Sequence, residues 1–330
     1  MEEPFDYVVV GSGAAGASAA RMLCETGRSV AIVEEGPPVA TADFVDRALP
    51  TFARLYRERG AQTTTGLAPM VVIQGRCVGG STVVNSGIMR RLPEEVWQEW
   101  AADHGLGRSL SLPEIDDRSS TIEAELSVAS TSEEVAGGNN RLLAEAAARR
   151  RFAGSPTRRN APGCRGSARC NLGCPHGAKQ SMQLSYLPFA AEHGATVIPD
   201  ERVERITWAA GRATGVLTSK RTIGARRAVI VAASAVQTPS LLARSGIRSR
   251  HLGRHFQGHP GMAIVGLFDH PVTMGDGATQ GFEIDGLRTG SRVKIETLAV
   301  PPETFMAGMP GIGRDWLALL AEYDRAAEID

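Results

Sequence analysis

A glycine-rich turn between an apolar strand and a helix is the feature that most restricts how this chain can fold. Residues 6–10 are largely β-branched, and Gly11, Gly13 and Gly16 follow with the spacing G-x-G-x-x-G, before small and apolar residues continue at helical spacing over 14–23. Gly11 permits a tight turn, Gly13 lets the backbone approach a pyrophosphate, and Gly16 lets the helix pack closely on the sheet. The free amides at the helix start attract phosphate. The spacing therefore predicts a dinucleotide-binding strand, turn and helix.

An acidic residue ends the next predicted strand, residues 29–33. Glu34 stands where a carboxylate accepts the hydroxyl groups of an adenosine ribose and repels a 2′-phosphate. This motif does not distinguish FAD from NAD, so both cofactors stay open at this point.

A second glycine-rich segment covers residues 75–85 and reads GRCVGGSTVVN. The pair Gly79 and Gly80, followed by Ser81 and Thr82, exposes backbone amides and hydroxyl groups together, which suits a second contact with a diphosphate or a flavin edge. We expect the two glycine turns to hold opposite sides of one nucleotide, and therefore to lie close together in the fold.

The segment 75–85 resembles the first signature of the glucose-methanol-choline family of FAD oxidoreductases, G-R-x-h-G-G-S-S/T-x-h-N, in which h is apolar. Residues 234–247, SAVQTPSLLARSGI, resemble the second signature, and residues 252–260, LGRHFQGHP, are similar to the G-R-N-h-x-x-H-P element. Residues 170–179, CNLGCPHGAK, look like a loop of a bacterial branch that includes long-chain alcohol oxidases. The likeness departs from the family at Met89, Leu92 and Arg248, and at Ser234, where glycine is more usual.

The resemblance implies an α/β fold with a Rossmann-like FAD-binding domain and part of an antiparallel-sheet substrate domain. The implied boundaries are 5–260 for the FAD domain, with inserted loops over 101–180, and 261–330 for the incomplete substrate domain. It also implies that the Val203 backbone lies at the adenine and that Ala233 and Ser234 line the diphosphate side. The implied FAD-binding residues are Gly11, Ser12, Gly13, Ala15, Gly16, Glu34, Arg76, Gly79, Gly80, Ser81, Thr82, Asn85, Val203, Ala233 and Ser234.

The function that the resemblance implies is hydride transfer from an alcohol, a CH–OH donor, to FAD. A histidine base suits this reaction because its ordinary pKa of about 6.5 lies near working pH. In the family this histidine and a His or Asn partner belong to a C-terminal segment, which we expect beyond Asp330, so no catalytic residue is assigned here. One alternative is a flavin-binding subunit or non-catalytic remnant completed by a second polypeptide. Another is a nicotinamide-dependent dehydrogenase, which rests on the first glycine motif alone.

Composition argues against several other classes of protein. Lys+Arg and Asp+Glu both number 36 and aromatic residues make up 5%, so neither a basic face nor aromatic stacking favours nucleic-acid binding. Residues 1–10 lack the pattern of a secretory signal, and the best apolar run, 228–243, is too polar for a transmembrane segment. We therefore expect a cytoplasmic protein without a membrane span.

Cysteine and histidine clusters do not predict a metal site. Cys164, Cys170 and Cys174 lack a recognised zinc spacing and are interpreted as thiols that pack a glycine-rich loop. His251, His255 and His259 would align only on a helix, which Gly253, Gly258 and Pro260 oppose.

Hydrophobic periodicity predicts the remaining elements. Residues 203–208 and 213–217 are expected to form a hairpin, 154–177 a long loop, and 262–268 and 292–298 parts of an antiparallel sheet. Further strands are predicted at 196–199 and 229–232, and helices at 44–56, 93–102, 140–150, 239–244 and 315–327.

Overall fold

The structure is a computed structural model that describes residues 3–330. Its helices are α1 Ala14–Glu25, α2 Ala48–Leu55, α3 Glu94–His104, α4 Leu112–Glu125, α5 Gly137–Arg150, α6 Tyr186–Glu192, α7 Ser234–Arg244, α8 Arg288–Ser291, α9 Pro302–Gly308 and α10 Gly313–Ala321. Its strands are β1 Phe5–Val10, β2 Val30–Val33, β3 Ala129–Ser130, β4 Gly154–Pro156, β5 Arg158–Arg159, β6 Ala195–Ile198, β7 Val203–Ala209, β8 Arg212–Thr218, β9 Thr222–Val231, β10 Ile264–Leu267, β11 Phe282–Ile284, β12 Ile295–Glu296 and β13 Ala326–Ile329.

The chain divides into two compact units. The first unit runs to Asn85 and adds Asn171–Gly177 and Ser181–Met262; the second consists of Ser86–Cys170, Ala178–Gln180 and Ala263–Asp330. These units assign residues 86–170 to the second body, whereas the sequence analysis placed them within the FAD domain. The boundaries 5–260 and 261–330 stay a prediction.

A six-stranded sheet in the order β6-β2-β1-β9-β8-β7 organises the first unit. The strands β6, β2, β1 and β9 are parallel, and β9, β8 and β7 continue as antiparallel neighbours. The predicted α/β fold with a parallel, Rossmann-like sheet is confirmed, and so is the hairpin of β7 and β8.

Strands β1 and β2 are apolar almost throughout because helices cover both faces of this part of the sheet. Val8 and Val10 belong to a cluster with Leu241 of α7. Val9 points the other way, towards α1, where a Cβ on Gly16 would lie 3.3 Å from a Val9 methyl group. All four residues of β2 are buried. This packing fixes the carboxyl ends of the strands, where the glycine turns lie.

The second unit contains short antiparallel pairings. Strand β10 pairs with β13, β11 pairs with both β12 and β4, and β3 pairs with β5. The core of this unit includes Met274, Phe305, Met306 and Tyr323. The expected antiparallel strands within 262–268 and 292–298 are present as the shorter β10 and β12, each paired with a different strand.

Three predicted elements differ from the structure. The predicted helix 315–327 ends at Ala321, because Ala326–Ile329 is drawn into a sheet by pairing with Ile264–Leu267. The loop 154–177 begins with β4 and β5, whose partners lie far away in sequence. The helix expected from Pro239 begins five residues earlier, at Ser234, and Pro239 lies inside it.

Candidate functional site

A cavity of about 1120 Å³ opens in the first unit at the carboxyl ends of three parallel strands. Val10 of β1, Val33 of β2 and Val231 of β9 all reach its wall. The chain leaves β1 towards β2 on one side, while β9 lies on the other, so the cavity lies where the strand order reverses. This is the position at which open α/β sheets bind their ligands.

Twelve of the fifteen predicted cofactor-binding residues line this cavity, although their role in binding stays a prediction. Gly16, Arg76 and Gly79 are not among the lining residues. The twelve are Gly11, Ser12, Gly13, Ala15, Glu34, Gly80, Ser81, Thr82, Asn85, Val203, Ala233 and Ser234.

The three glycines of the first turn are required for different reasons. Gly11 has φ +99°, and a Cβ there would lie 2.5 Å from the Ala232 carbonyl oxygen. A Cβ on Gly16 would lie 1.9 Å from the Gly11 oxygen, so the protein itself demands glycine at both positions. Gly13 has φ −68°, and, apart from its own atoms and its two chain neighbours, no atom of residues 3–330 lies within 4 Å of where its Cβ would be. Glycine at position 13 therefore leaves open space on the cavity wall.

In the part of the chain that the structure describes, no side chain caps the amino terminus of α1, which begins directly after Gly13. The backbone amides of a first helical turn have no partner within the helix, and the helix dipole makes this end electropositive. Ala14 and Ala15, in that turn, line the cavity. The arrangement suits a diphosphate, and a small side chain at each of these positions leaves room for it.

The second glycine turn lies directly against the first. The Gly79 amide donates to the Ser12 hydroxyl at 2.9 Å, and a Cβ on Gly80 would lie 2.9 Å from the Gly13 Cα. Gly79 and Gly80 have φ +93° and +56°, a left-handed conformation that favours glycine. The expectation that the two turns lie together is confirmed.

The hydroxyl groups of the second turn form hydrogen bonds with backbone groups of the protein. Thr82 donates to the Gly79 carbonyl at 2.6 Å and accepts from the Met182 amide at 3.0 Å. Ser81 accepts from the Gly75 amide at 3.0 Å. These hydroxyls shape the turn, in addition to the nucleotide contact predicted for them.

Glu34 is buried and holds the first turn in place. Its Oε2 accepts hydrogen bonds from the Ser12 amide at 3.0 Å and the Ser12 hydroxyl at 2.7 Å, and its Oε1 accepts from the Gly36 amide at 2.9 Å. Burial raises the pKa of this carboxyl, although the hydrogen bonds oppose the rise. A carboxylate offers about four acceptor positions, so three bonds leave Oε1 capacity for one ribose hydroxyl.

Glu35 is a cavity residue that the sequence analysis missed. It forms an ion pair with Arg57, whose Nη2 lies 2.8 Å from its Oε2, and both side chains line the cavity. Although burial opposes ionisation, Arg57 lowers the pKa of Glu35. The two adjacent glutamates at positions 34 and 35 are the sequence feature that could have indicated it.

Ser234 adopts φ +70°, a left-handed conformation that favours glycine. Its hydroxyl accepts from the Gln74 side-chain amide at 2.9 Å and donates to the Gln237 oxygen at 2.5 Å. These bonds compensate the strain of a non-glycine residue in this region. Gln74 is a second lining residue that sequence reasoning missed, since its partner lies 160 positions away.

The Arg76 backbone packs against neighbouring segments of the first unit. A Cβ on Gly36 would lie 2.3 Å from the Arg76 carbonyl oxygen, so the two segments are in close contact. The Arg76 amide donates to the Leu55 oxygen at 2.7 Å. Arg76 is not among the residues that line the cavity, and its contact with the cofactor stays a prediction.

The arrangement of the cysteine and histidine clusters can be compared with that of a metal site. Within the described part of the chain, no three His, Cys, Asp or Glu side chains converge on a possible metal position. The His251 and His255 rings lie 6.1 Å apart, and residues 254–260 are irregular rather than helical.

In the second unit, Arg159 donates a hydrogen bond to the Cys170 sulfur at 3.2 Å. Although burial opposes ionisation, Arg159 and Lys179 lower the pKa of this thiol.

Comparisons with known proteins agree on one family. A family model described as GMC oxidoreductase matches residues 5–261. An uncharacterised GMC-type oxidoreductase of Mycobacterium tuberculosis is 40% identical over 98% of this chain and 52% of its own length. A long-chain-alcohol oxidase of Arabidopsis thaliana is 25% identical over 98% of this chain and 46% of its own length. The chain spans about half the length of these curated relatives.

Solved structures show the same fold. Formate oxidase from Aspergillus oryzae superimposes with a TM-score of 0.71 and 15% identity, over 98% of this chain and 72% of that chain. Pyridoxine 4-oxidase from Mesorbium loti gives 0.64 and 15%, over 98% and 70%. Within residues 3–330, no helix has the length and apolar character needed to cross a bilayer.

Proposed function

Because the chain belongs to the GMC oxidoreductase family, we propose that it forms the FAD-binding part of an oxidoreductase that acts on an alcohol. The family inferred from the sequence motifs is confirmed by the match over residues 5–261. FAD is the cofactor of this family, and the alternative of a nicotinamide-dependent dehydrogenase is not supported.

The observation that carries the proposal is the contact between the two glycine turns at the carboxyl ends of the sheet. Open space at Gly13, the uncapped start of α1 and the close approach of Gly80 together form a cradle for a diphosphate. Glu34 retains one acceptor position for an adenosine ribose, and Val203 lines the same cavity. These features fit the cofactor that the family uses.

The roles of the individual residues follow from this geometry. The amides after Gly13 would bind the pyrophosphate, Glu34 would accept a ribose hydroxyl, and the second turn would hold the opposite side of the nucleotide. When bound, the flavin supplies the acceptor for a hydride from the substrate carbon. We propose that the substrate is a primary or long-chain alcohol, a class suggested by the Arabidopsis relatives. Cytoplasmic localisation stays a prediction.

A titration of the purified chain with FAD tests the cofactor assignment. We expect quenching of flavin fluorescence and absorption bands near roughly 370 and 450 nm that remain with the protein after gel filtration. NADH is the matched control and should give no saturable change. Binding of NADH without FAD would contradict the proposal.

Anaerobic addition of a primary alcohol to the FAD complex then tests the reaction. Loss of the band near roughly 450 nm is expected if the chain supports hydride transfer. Stable flavin binding without bleaching would instead favour the alternative of a flavin-binding subunit that needs a second polypeptide.

A further inference from the structure

One buried side chain connects the two glycine turns. The Ser12 hydroxyl donates to Glu34 Oε2 at 2.7 Å and accepts the Gly79 amide at 2.9 Å. Ser12 is fully buried and Glu34 is only 7% exposed, so water does not compete for these bonds. The Ser12 oxygen therefore takes part in both links, that between the end of β2 and the first turn and that between the first turn and the second.

Gly79 is held through both of the peptide groups that flank its Cα. Its amide is bound by Ser12, and its carbonyl accepts the Thr82 hydroxyl, which in turn accepts the Met182 amide. Among the hydrogen bonds of residues 3–330, the Ser12 bond is the one that connects the Gly79 amide to the first glycine turn. Removing that hydroxyl would leave a buried amide without an acceptor, which costs more than an ordinary hydrogen bond contributes.

The orientation of the Gly79 amide affects the position of the next residue. Gly80 follows directly, and its Cα packs so closely on Gly13 that a Cβ would lie 2.9 Å from the Gly13 Cα and 3.3 Å from its nitrogen. A rotation about the Gly79 N–Cα bond would shift Gly80 along the cavity wall. The spacing between the two turns would then change at the place where a diphosphate fits.

We propose that Ser12 is a positioning residue that holds the second glycine turn in its cofactor-binding conformation before the cofactor arrives. This inference rests on the proposed FAD site, because it assigns Ser12 a task beyond lining that site. The Ser12 hydroxyl pre-organises the backbone, so that binding energy is not spent on ordering the turn.

The chain offers a matched control at the opposite end of the same strands. The Ser29 hydroxyl accepts the Asp6 amide at 2.8 Å and donates to the Asp6 carboxylate at 3.3 Å, while the Ser29 amide also binds that carboxylate. This repeats the chemistry of Ser12 and Glu34, a serine bound to a carboxylate and to a backbone amide. Ser29 is not among the residues that line the cavity.

The experiment compares Ser12→Ala with Ser29→Ala in the 330-residue chain. Hydrogen exchange is measured without cofactor on the segment 75–85, and the FAD dissociation constant is measured by fluorescence titration. For Ser12→Ala we expect exchange of the Gly79 amide to accelerate by about 10-fold or more and the dissociation constant to rise about 10-fold, or ~1.4 kcal/mol. For Ser29→Ala we expect both values to stay within about twofold of the parent.

Unchanged exchange of the Gly79 amide in Ser12→Ala would overturn the proposal, whatever happens to FAD affinity. Equal effects of the two variants on segment 75–85 would also overturn it, since the role would then be general stability. Failure of the parent chain to bind FAD would refute the proposed function, while the exchange measurement would still decide whether Ser12 positions the turn. If Ser12→Ala does not fold, Ser12→Cys, whose thiol is a weak hydrogen-bonding group, is measured with the same expected outcome.

Discussion

Replacement of Gly13 by alanine should weaken FAD binding and leave the stability of the cofactor-free protein nearly unchanged. Among the described residues, no atom other than those of position 13 and its chain neighbours lies within 4 Å of the added Cβ, and φ at this position is −68°, which alanine adopts freely. Alanine reduces the entropy of the unfolded chain by about 0.4–1 kcal/mol, but it is a poorer helix N-cap than glycine by a similar amount. We expect the unfolding free energy without cofactor to stay within about 1 kcal/mol of the parent value.

The same methyl group should obstruct the cofactor. A phosphate oxygen that accepts an amide of the first turn lies about 2.9 Å from its nitrogen, whereas a methyl carbon keeps neighbouring atoms about 3.5–4 Å away. Loss of one hydrogen bond to a charged group costs about 1.5–3 kcal/mol, which weakens FAD binding by a factor of about 10 to 150.

Gly16→Ala is the comparison variant, because its Cβ would lie 1.9 Å from the Gly11 oxygen. We expect it to lower the unfolding free energy by about 3 kcal/mol or more, since the backbone of the turn must move. Urea unfolding of the cofactor-free chains and FAD titration are the two assays. Gly13→Ala with parental FAD affinity, or with a loss of stability like that of Gly16→Ala, would refute the reasoning.

Three further predictions concern the second turn and two carboxylates. Gly80→Ala forces alanine into φ +56° and against the Gly13 backbone, so thermal unfolding should reveal a loss of about 2–4 kcal/mol; an unchanged midpoint would contradict the close contact. Burial raises the pKa of Glu34, so above pH 4.5 the folded chain binds more protons than the unfolded chain. The unfolding free energy of the parent relative to Glu34→Gln, measured by urea titration, should therefore fall as pH rises from 4.5 through the folded-state pKa. An increase over this pH range would contradict the direction of the pKa shift. Hydrogen bonds from Arg91 and Arg158 lower the pKa of Glu123 to about 2. The difference in unfolding free energy between the parent and Glu123→Gln should therefore be largest above pH 4.5 and disappear as pH falls towards about 2. A difference that persists at the lowest pH would show that the stabilisation does not depend on the charge of Glu123.

The glycine motifs and the family signatures predicted twelve of the residues that line the cavity. Glycine at a left-handed position or at a close approach is a local requirement, so Gly11, Gly16 and Gly79 could be interpreted from their spacing alone. The polar residues opposite them could not. Gln74 and Ser234 are 160 positions apart, and nothing in either local segment indicates that their side chains meet.

Helices and strands also differ in whether a local sequence signal marks their ends. The helix α4 was missed although Ser111 and Glu114 form a capping box at its start, a local signal that was present in the sequence. The end of the predicted helix 315–327 had no such signal. Ala326–Ile329 becomes a strand only because β10 offers it a partner, and pairing between distant segments overrides local helix propensity.

The amino-acid sequence by itself determined the strand, turn and helix around Gly11, the acid at the end of β2 and the second glycine turn, because each depends on the periodicity or backbone freedom of neighbouring residues. Only the tertiary structure decided that Ser12 joins Glu34 to Gly79, that Glu35 pairs with Arg57, and which glycines serve the protein rather than the cavity. Hydrogen bonds and van der Waals contacts act over a few ångströms, so their partners are defined by packing and not by position along the chain.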